Sequence, residues 1–305
     1  MPENNQSDVT EFLLLGFTNT QFSKLCIFLI ILPLYNITVA GNLLIITLVL
    51  VSPYLKFPMY YFLSNLCLCD AMLTTNIVPN MLFVIWRKGE TISFGVCLLQ
   101  FYIYGVCGST ECLLLGVMSY DRYLAICNPL RYASIMNFNQ CLNLIFWSWF
   151  LGSLTAIIPV IMISFLEFAG PNTIDHLFCD LDPLLQISCS ETYFVKLEVL
   201  IATIPVICFP LFYIVVSYIH IFITVLNIPS TSGRQKVFST CSSHLTVVCA
   251  YYGTMITIYT VPSKTKSTNT KKFLSLIYTV VTPLLNPVIY GLRSKDIQRA
   301  LKKLA

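Results

Sequence analysis

Seven apolar stretches, each long enough to cross a bilayer, constrain this chain more than any other feature of its sequence. A bilayer core about 30 Å thick needs roughly 20 apolar residues in a helix that rises about 1.5 Å per residue. None of the stretches alternates with the period of two of a barrel strand, so the sequence predicts an all-α membrane protein. The stretches run over Leu25–Val51, Met59–Trp86, Cys97–Tyr123, Cys141–Phe165, Lys196–Leu226, Phe238–Val261 and Phe273–Leu292.

The composition agrees with a membrane bundle and excludes several other classes. Of 305 residues, 56% are hydrophobic and only 10% are charged, against roughly 25% charged residues in soluble chains. A net charge of +4 is too small to indicate a nucleic-acid-binding protein. A channel or transporter would show internal repeats or an acid-lined pore, and neither is seen in the sequence. No metal or nucleophile pattern stands out, so we expect no enzymatic activity.

The ends of the chain indicate its orientation and divide it into three parts. Residues 1–24 are polar and contain a glycosylation sequon at Asn5, which suits an extracellular N-terminus. An odd number of spans across residues 25–292 leaves residues 293–305 in the cytoplasm, where lysine and arginine are slightly more numerous than outside. This tail is amphipathic, and we expect it to lie along the inner leaflet. The first apolar stretch is long enough to remain as a span, so we expect no cleaved signal peptide.

The third apolar stretch ends in the string MSYDRYLAIC, residues Met118–Cys127. Asp121 and Arg122 therefore lie together at the predicted cytoplasmic end of a membrane helix. Such a pair is costly to bury unless it belongs to a switch or is wet at the interface. A bare Asp-Arg-Tyr triplet would indicate only an interfacial anchor, whereas the longer string is far more specific.

Several strings in the expected order give the chain a close resemblance to the olfactory receptors, a branch of the rhodopsin-like (class A) G-protein-coupled receptors. The sixth stretch has Tyr251–Thr254 where most rhodopsin-like receptors have Cys-Trp-x-Pro, which is similar to the olfactory version. The resemblance covers essentially the whole chain and implies a seven-transmembrane helix bundle of the rhodopsin-like GPCR fold. The strings are Gly41-Asn42, Pro58–Leu66 followed by Asp70, Met118–Cys127, Lys236–Leu245 and Pro283–Tyr290.

This resemblance also implies a function and its partners. The family binds small-molecule odorants within the helix bundle at the plasma membrane. It activates a heterotrimeric G protein with a stimulatory, olfactory-type α subunit and its βγ subunits, which raises cAMP. We expect these partners together with membrane lipid, and no nucleic acid. An olfactory-type receptor for a non-odorant metabolite in another tissue is the alternative.

Residues at the cytoplasmic ends of the spans are implied in G-protein coupling. Ligand binding is expected to move the cytoplasmic end of the sixth span outward, so that Arg122 leaves Asp121 and faces Tyr218. By resemblance, the coupling residues are Asp121, Arg122, Tyr123, Tyr218, Lys236, Ser239, His244, Tyr290 and Arg293.

A ligand pocket is expected between the outer halves of spans three, five, six and seven. On the third span, small and hydroxylic residues share one helical face, and paired glycines there leave open space. On the sixth span, aromatic residues and a methionine repeat at helical spacing. The candidate ligand-binding residues are Tyr104, Gly105, Gly108, Ser109, Ala202, Thr203, Val206, Tyr252, Met255, Tyr259, Leu276 and Thr279.

The predicted pocket wall is aromatic, aliphatic and hydroxylic, without a buried charge. It suits a small, mainly apolar molecule with one or two hydrogen-bonding groups. The third span carries no acid on its pocket face, where aminergic receptors have an aspartate, which disfavours a protonated amine bound in that way. Lys264, Lys266, Lys271 and Lys272 lie at the predicted mouth, where they either steer acidic ligands or, as we favour, form a solvated loop.

Two acids, Asp70 and Glu111, lie deepest in the predicted membrane region. Two nearby carboxylates share a proton or a cation, because both cannot stay ionised without a partner. With Asn42 and Asn286 they form either a site for a sodium ion, as in related receptors, or a purely structural polar network. We expect no other cofactor.

The cysteines give one firm pairing. By resemblance, Cys97 forms a disulfide with Cys179 in the loop between spans four and five, where the oxidising exterior favours such a bond. The family usually has a further loop cysteine where this chain has Ala169, which leaves Cys189 without its usual partner. His176 with Cys179 is too small a set to indicate a metal site.

Overall fold

A computed structural model describes residues 10–17, 21–87, 89–168, 172–260 and 268–304. Within these ranges, only the backbone is described at residues 236, 239, 240, 258–260, 268, 269 and 304. The predicted Asn5, Ala169, Lys264 and Lys266 lie outside the described residues. So do the side chains of Lys236, Ser239 and Tyr259.

Long helices dominate the fold, and the predicted helical bundle is confirmed. Two helices that are joined by a wide π-helical turn are counted here as one span. On this count, six of the described spans are long and apolar enough to cross a membrane. The sixth span, α9, is more polar because serine, threonine and charged residues occupy its cytoplasmic half. The helices are α1 Gln21–Val51, α2 Pro58–Arg87, α3 Phe94–Cys127, α4 Pro129–Ile135, α5 Phe138–Ser164, α6 Leu181–Ile187, α7 Tyr193–Thr203, α8 Phe209–Leu226, α9 Thr231–Thr260, α10 Thr268–Leu276, α11 Thr282–Arg293 and α12 Lys295–Leu304.

Helix α3 is central, because it packs against α2, α5 and α8. Gly152 of α5 permits the close approach of α5 to α3. A Cβ atom at Gly152 would lie 3.2 Å from both the backbone nitrogen of Thr110 and the carbonyl oxygen of Val106. Backbone atoms cannot move aside as a flexible side chain can, so this contact sets the distance between α5 and α3.

Two wide turns of π-helix interrupt the fifth and seventh spans. Ile204–Cys208 joins α7 to α8, and Ile277–Val281 joins α10 to α11. Such turns add a residue to the local helical repeat and recur at functional sites. They change which side chains face the bundle, and regular helical spacing in the sequence does not anticipate them.

A small sheet closes the outer end of the bundle. Strand β1 (Glu11–Leu14) pairs antiparallel with β2 (Glu90–Ser93) and parallel with β3 (Thr173–Ile174). Phe12 and Leu14 alternate into a buried cluster under this sheet, as a half-buried strand requires. The region before the first span was predicted only as a polar segment, so this strand is an addition from the structure.

The predicted disulfide between Cys97 and Cys179 is confirmed. Gln100 supports it, because its Oε1 accepts a hydrogen bond from the backbone N–H of Cys179 at 2.9 Å. Together these bonds hold the outer loop against the first turns of α3. Asp180, the loop residue after Cys179, is thereby held close to α3.

Helix α12 follows the last span after a break at Ser294. Ile297 and Ala300 are buried against the bundle, while Arg299 and Lys302 are exposed. Lys303 donates a hydrogen bond to the Tyr54 hydroxyl at 2.6 Å. The tail is therefore an amphipathic helix, as its sequence pattern predicted.

Candidate functional site

A cavity of about 150 Å³ lies between the outer halves of α3, α5, α7 and α9. Its wall includes the predicted residues Tyr104, Gly105, Gly108, Ser109, Ala202, Thr203, Val206 and Met255. It also includes residues that were not predicted: Phe101, Thr155, Ala156, Pro159, Asp180, Leu181, Glu198, Val199, Ile207 and Tyr278. The fourth span, α5, thus contributes part of the wall, which was not expected from the sequence.

Three predicted pocket residues with described side chains do not line the cavity. Tyr252 is buried in the main apolar cluster beside Tyr251. Thr279 turns its hydroxyl back to the carbonyl oxygen of Ser275 at 2.9 Å, and Leu276 packs against the same apolar cluster. On the seventh span the π-turn changes the helical phase, so that the neighbouring Tyr278 faces the cavity instead.

The expectation of an uncharged wall is wrong, because two carboxylates line the cavity. Asp180 comes from the loop fixed by the disulfide, and its Oδ1 accepts a hydrogen bond from the backbone N–H of Leu181 at 2.8 Å. Glu198 comes from α7, and its Oε2 is buried without a hydrogen-bond partner among the described residues. A signal for Glu198 was present, since it precedes the predicted Ala202 by four residues and so shares its helical face.

Three tyrosines form a group that we call the tyrosine floor: Tyr104 and Tyr278 line the cavity, and Tyr251 packs against Tyr278. The Tyr251 hydroxyl donates to the carbonyl oxygen of Gly108 at 2.8 Å and lies 3.4 Å from the Tyr278 hydroxyl. The rings of Tyr104 and Tyr278 stand edge to face, with centroids 6.0 Å apart. A Cβ atom at Gly108 would lie 3.1 Å from the Tyr278 hydroxyl oxygen. The floor therefore couples α3 to α9 and to the π-turn of the seventh span.

The two deep acids are buried, as predicted, and their neighbours leave several oxygens without partners. Asn286 donates to Asp70 Oδ2 at 2.6 Å, while Asn42 donates to the carbonyl oxygen of Pro283 at 3.1 Å. In the described part of the chain, Glu111 Oε1, Asn286 Oδ1 and Asn42 Oδ1 have no hydrogen-bond partner. Carboxylate and amide oxygens are the ligands that hard cations prefer, so these residues fit a small cation.

At the cytoplasmic end of α3, Asp121 is fully buried in a closed network. Arg122 donates to Asp121 Oδ2 from Nη2 at 2.5 Å and from Nε at 3.0 Å. Tyr132 of α4 donates to Asp121 Oδ1 at 2.8 Å. Arg122 is thus paired with its sequence neighbour and not with Tyr218, which is the arrangement expected before activation.

The other predicted coupling residues surround this pair. Tyr218 and His244 stack and form a hydrogen bond of 2.7 Å between the hydroxyl and Nδ1. Tyr290 is buried, and its hydroxyl has no partner within the described ranges. Tyr123 lies in a small apolar cluster formed mainly by residues of α8 and α9. At the exposed rim, Arg293 donates to the Ser242 hydroxyl at 3.1 Å.

Of the four outer lysines, the structure describes Lys271 and Lys272, and Lys272 is not in solvent as the sequence indicated. Lys272 is buried, and its Nζ donates to Asp175 Oδ1 and to the carbonyl oxygen of Gly16, both at 2.5 Å. Lys271 pairs with Asp182 at 3.3 Å. Lys272 is buried because the loop that carries Asp175 packs over α10. The sequence does not reveal this contact between distant segments.

His176 belongs to the same outer layer and has a structural role. Its Nδ1 lies 3.2 Å from the Phe178 carbonyl oxygen, and its Nε2 lies 3.4 Å from the Ser275 hydroxyl. Burial lowers the pKa of His176, so the neutral ring is favoured. Cys179 is consumed by the disulfide, which leaves no metal pair here. Cys189 is exposed, and its backbone N–H donates to the Glu167 carbonyl oxygen at 2.9 Å.

Comparison with known proteins adds independent evidence. A family model described as olfactory receptor matches residues 31–305. Olfactory receptor 11L1 of Homo sapiens is 47% identical, covering 100% of this chain and 94% of that protein. Olfactory receptor 1M1 of Mus musculus is 42% identical, covering 100% of this chain and 97% of that protein. Squid rhodopsin has the same fold, with a TM-score of 0.77 at 17% identity over 94% of this chain and 86% of that one.

Proposed function

The chain belongs to the olfactory receptor family, and from this premise we propose that it binds a small, mainly apolar odorant in the outer cavity and activates a stimulatory, olfactory-type G protein. It is a multi-pass receptor of the plasma membrane and not an enzyme. Activation of the α subunit, released from βγ, would raise cAMP. Membrane lipid surrounds the bundle and underlies the amphipathic tail.

The observation that supports this proposal most is that a single helix contributes residues both to the outer cavity and to the cytoplasmic network. Helix α3 lines the outer cavity from Phe101 to Ser109 and carries Asp121 and Arg122 at its inner end. Gly108 and Arg122 are 14 positions apart, which is about 21 Å along a helix. A rigid helix across that distance gives a ligand a physical route to the cytoplasmic network.

The proposed mechanism is a shift between two populated arrangements. A ligand seated against Tyr104 and Tyr278 favours the arrangement in which α9 moves relative to α3, because the tyrosine floor joins them. When the inner end of α9 moves outward, Arg122 leaves Asp121 and faces Tyr218. The G protein then inserts into the cleft that opens near Arg293.

A sodium ion at the deep acids is part of the same proposal. The oxygens of Asp70, Glu111 and Asn286 would hold it, and it would supply the positive charge that two buried acids need. We expect sodium chloride to raise the melting temperature of the purified receptor more than potassium chloride does. Asp70→Asn should remove that difference, and an unchanged difference would contradict the site.

The signalling proposal is tested by expressing the full chain with an olfactory-type α subunit and measuring cAMP against a panel of odorants. An agonist found in this way should lose its effect in Arg122→Ala, because the G protein contact is removed. Absence of any agonist, together with unchanged basal cAMP in Arg122→Ala, would contradict the proposal.

The position of the binding site is tested separately with Gly108→Leu. The added side chain meets the Tyr278 hydroxyl and enters the cavity, so the agonist should lose at least about 10-fold in potency. Gly95→Leu on the same helix is the matched control, since Gly95 does not line the cavity and no atom lies within 4 Å of a Cβ built there. Equal potency in both variants would mean that the ligand binds elsewhere.

A further inference from the structure

We propose that the outer cavity selects a ligand with a protonated amino group, and that Glu198 is the residue that recognises it. This inference rests on the proposed receptor function and adds a chemical class of ligand to it. The observation that motivates it is a pair of carboxylates, Glu198 and Asp180, in the wall of a small and otherwise largely apolar cavity.

One oxygen of the Glu198 carboxylate lacks a hydrogen-bond partner. Its Oε2 is buried and makes no hydrogen bond to any described residue, and no described salt bridge includes it. Lys196 is close in sequence, but it is exposed and stands two positions away on the helix, on a different face. Glu198 as a whole is half-buried, but a buried oxygen without a partner is unfavourable. A cationic ligand that bonds to this oxygen would therefore gain free energy.

Two lysines of the outer layer whose side chains are described already have acidic partners. Lys272 is paired with Asp175, and Lys271 with Asp182. His176 lies close to Asp180, but burial lowers its pKa and favours the neutral ring. Among the described residues, Asp180 and Glu198 are therefore the acidic side chains of the cavity wall, and no basic side chain lines it.

Aromatic rings complete a wall that suits a cation. Phe101, Tyr104 and Tyr278 line the same cavity, and the negative face of such rings attracts an ammonium group. The two carboxylates come from different segments, the disulfide-fixed loop and α7. An amino group in the cavity therefore has acids from both segments within its wall.

The size of the cavity limits the rest of the ligand. A volume of about 150 Å³ equals that of an engineered apolar cavity which binds benzene. The ligand is therefore expected to be a single ring or a short branched chain that carries one amino group. Larger amines would require the walls to move.

The test compares two molecules of equal size, cyclohexylamine and cyclohexanol, on the full-length receptor. We expect cyclohexylamine to raise cAMP at a concentration about 10- to 100-fold lower than cyclohexanol, the ratio that a charge-assisted hydrogen bond provides. Glu198→Gln should remove this preference, and Glu198→Asp should keep part of it. Glu191→Gln, at an exposed acid that does not line the cavity, should leave it unchanged.

A second measurement separates recognition from signalling. The melting temperature of the detergent-purified receptor should rise with cyclohexylamine in the wild type but not in Glu198→Gln. A Glu198-dependent rise without any cAMP response would support amine recognition and contradict the signalling proposal. Equal responses to both molecules, no response to cyclohexylamine in either assay, or an unchanged preference in Glu198→Gln would overturn the inference.

Discussion

The two ends of the bundle differ in how their acidic side chains are hydrogen-bonded. At the cytoplasmic end, both carboxylate oxygens of Asp121 accept hydrogen bonds, from Arg122 and from Tyr132. At the outer end, Glu198 keeps a buried oxygen for which no described residue is a partner. A satisfied network stabilises one arrangement, whereas an unsatisfied group gains free energy only when something else binds.

This contrast matches a receptor in which binding and switching are separated along one helix. The outer end retains unused hydrogen-bonding capacity, so a ligand can supply the free energy that shifts the equilibrium. In the proposed mechanism, the hydrogen bonds that close the inner end must break, so the receptor would stay inactive without that supply. The tyrosines between them, Tyr251 and Tyr278, connect α3 to the helices that move.

The largest expected effect comes from a change that would force α5 away from α3, the helix that links the two ends. Gly152→Leu places a side chain against the backbone of α3, so α5 must move away and the bundle should lose about 3 kcal/mol of stability. Thermal unfolding of the purified receptor measures this loss. Gly253→Leu is the control, because a Cβ atom there meets nothing within 4 Å. A similar loss in both variants would show that the α3–α5 contact is not special.

A second change tests whether the inner network really holds the receptor inactive. Asp121→Asn weakens charge-assisted hydrogen bonds worth about 1.5–3 kcal/mol each, so basal cAMP should rise roughly 10-fold or to its ceiling. Asp182→Asn makes the same substitution in the exposed pair with Lys271 at the outer end. Exposed pairs contribute little, and basal cAMP should not change. A rise with both variants would contradict the contrast between the ends.

The smallest expected effect concerns the pH dependence of the outer layer. Because burial lowers the pKa of His176 below its usual 6.5, opening the layer makes the ring bind protons more readily. The stability from His176 is therefore fully present above about pH 6.5 and is lost as pH falls further. Hydrogen exchange of residues 172–180 at pH 7.5 and pH 5.5 should show about 1 kcal/mol less protection at the acidic pH. His176→Gln should remove the difference, and a persistent difference would assign it to another group.

Much of the bundle could be predicted because membrane helices are long and uniformly apolar. Burial of the acids Asp70 and Glu111, the disulfide of Cys97 and Cys179, and most of the α3 face in the cavity were correct. Residues one helical repeat apart share a face in any straight helix. Such predictions need no knowledge of the neighbouring helices.

Predictions failed where the backbone departs from a regular helix or where two distant segments meet. Tyr278 replaced Leu276 and Thr279 in the cavity wall because of a π-turn. Lys272 was expected in solvent and is buried against Asp175, almost a hundred positions earlier in the chain. Neither local spacing nor composition carries information about these contacts.

By itself the sequence determined that this chain is a membrane bundle of the olfactory receptor family, because span length and the Met118–Cys127 string are local properties. The tertiary structure alone decided which side chains share the cavity. It brought Asp180 from a loop and Glu198 from α7 to the same wall, while the lysines near them were neutralised by other partners. The electrostatic character of a cavity is a sum over segments that are distant in sequence, so only their packing could reveal it.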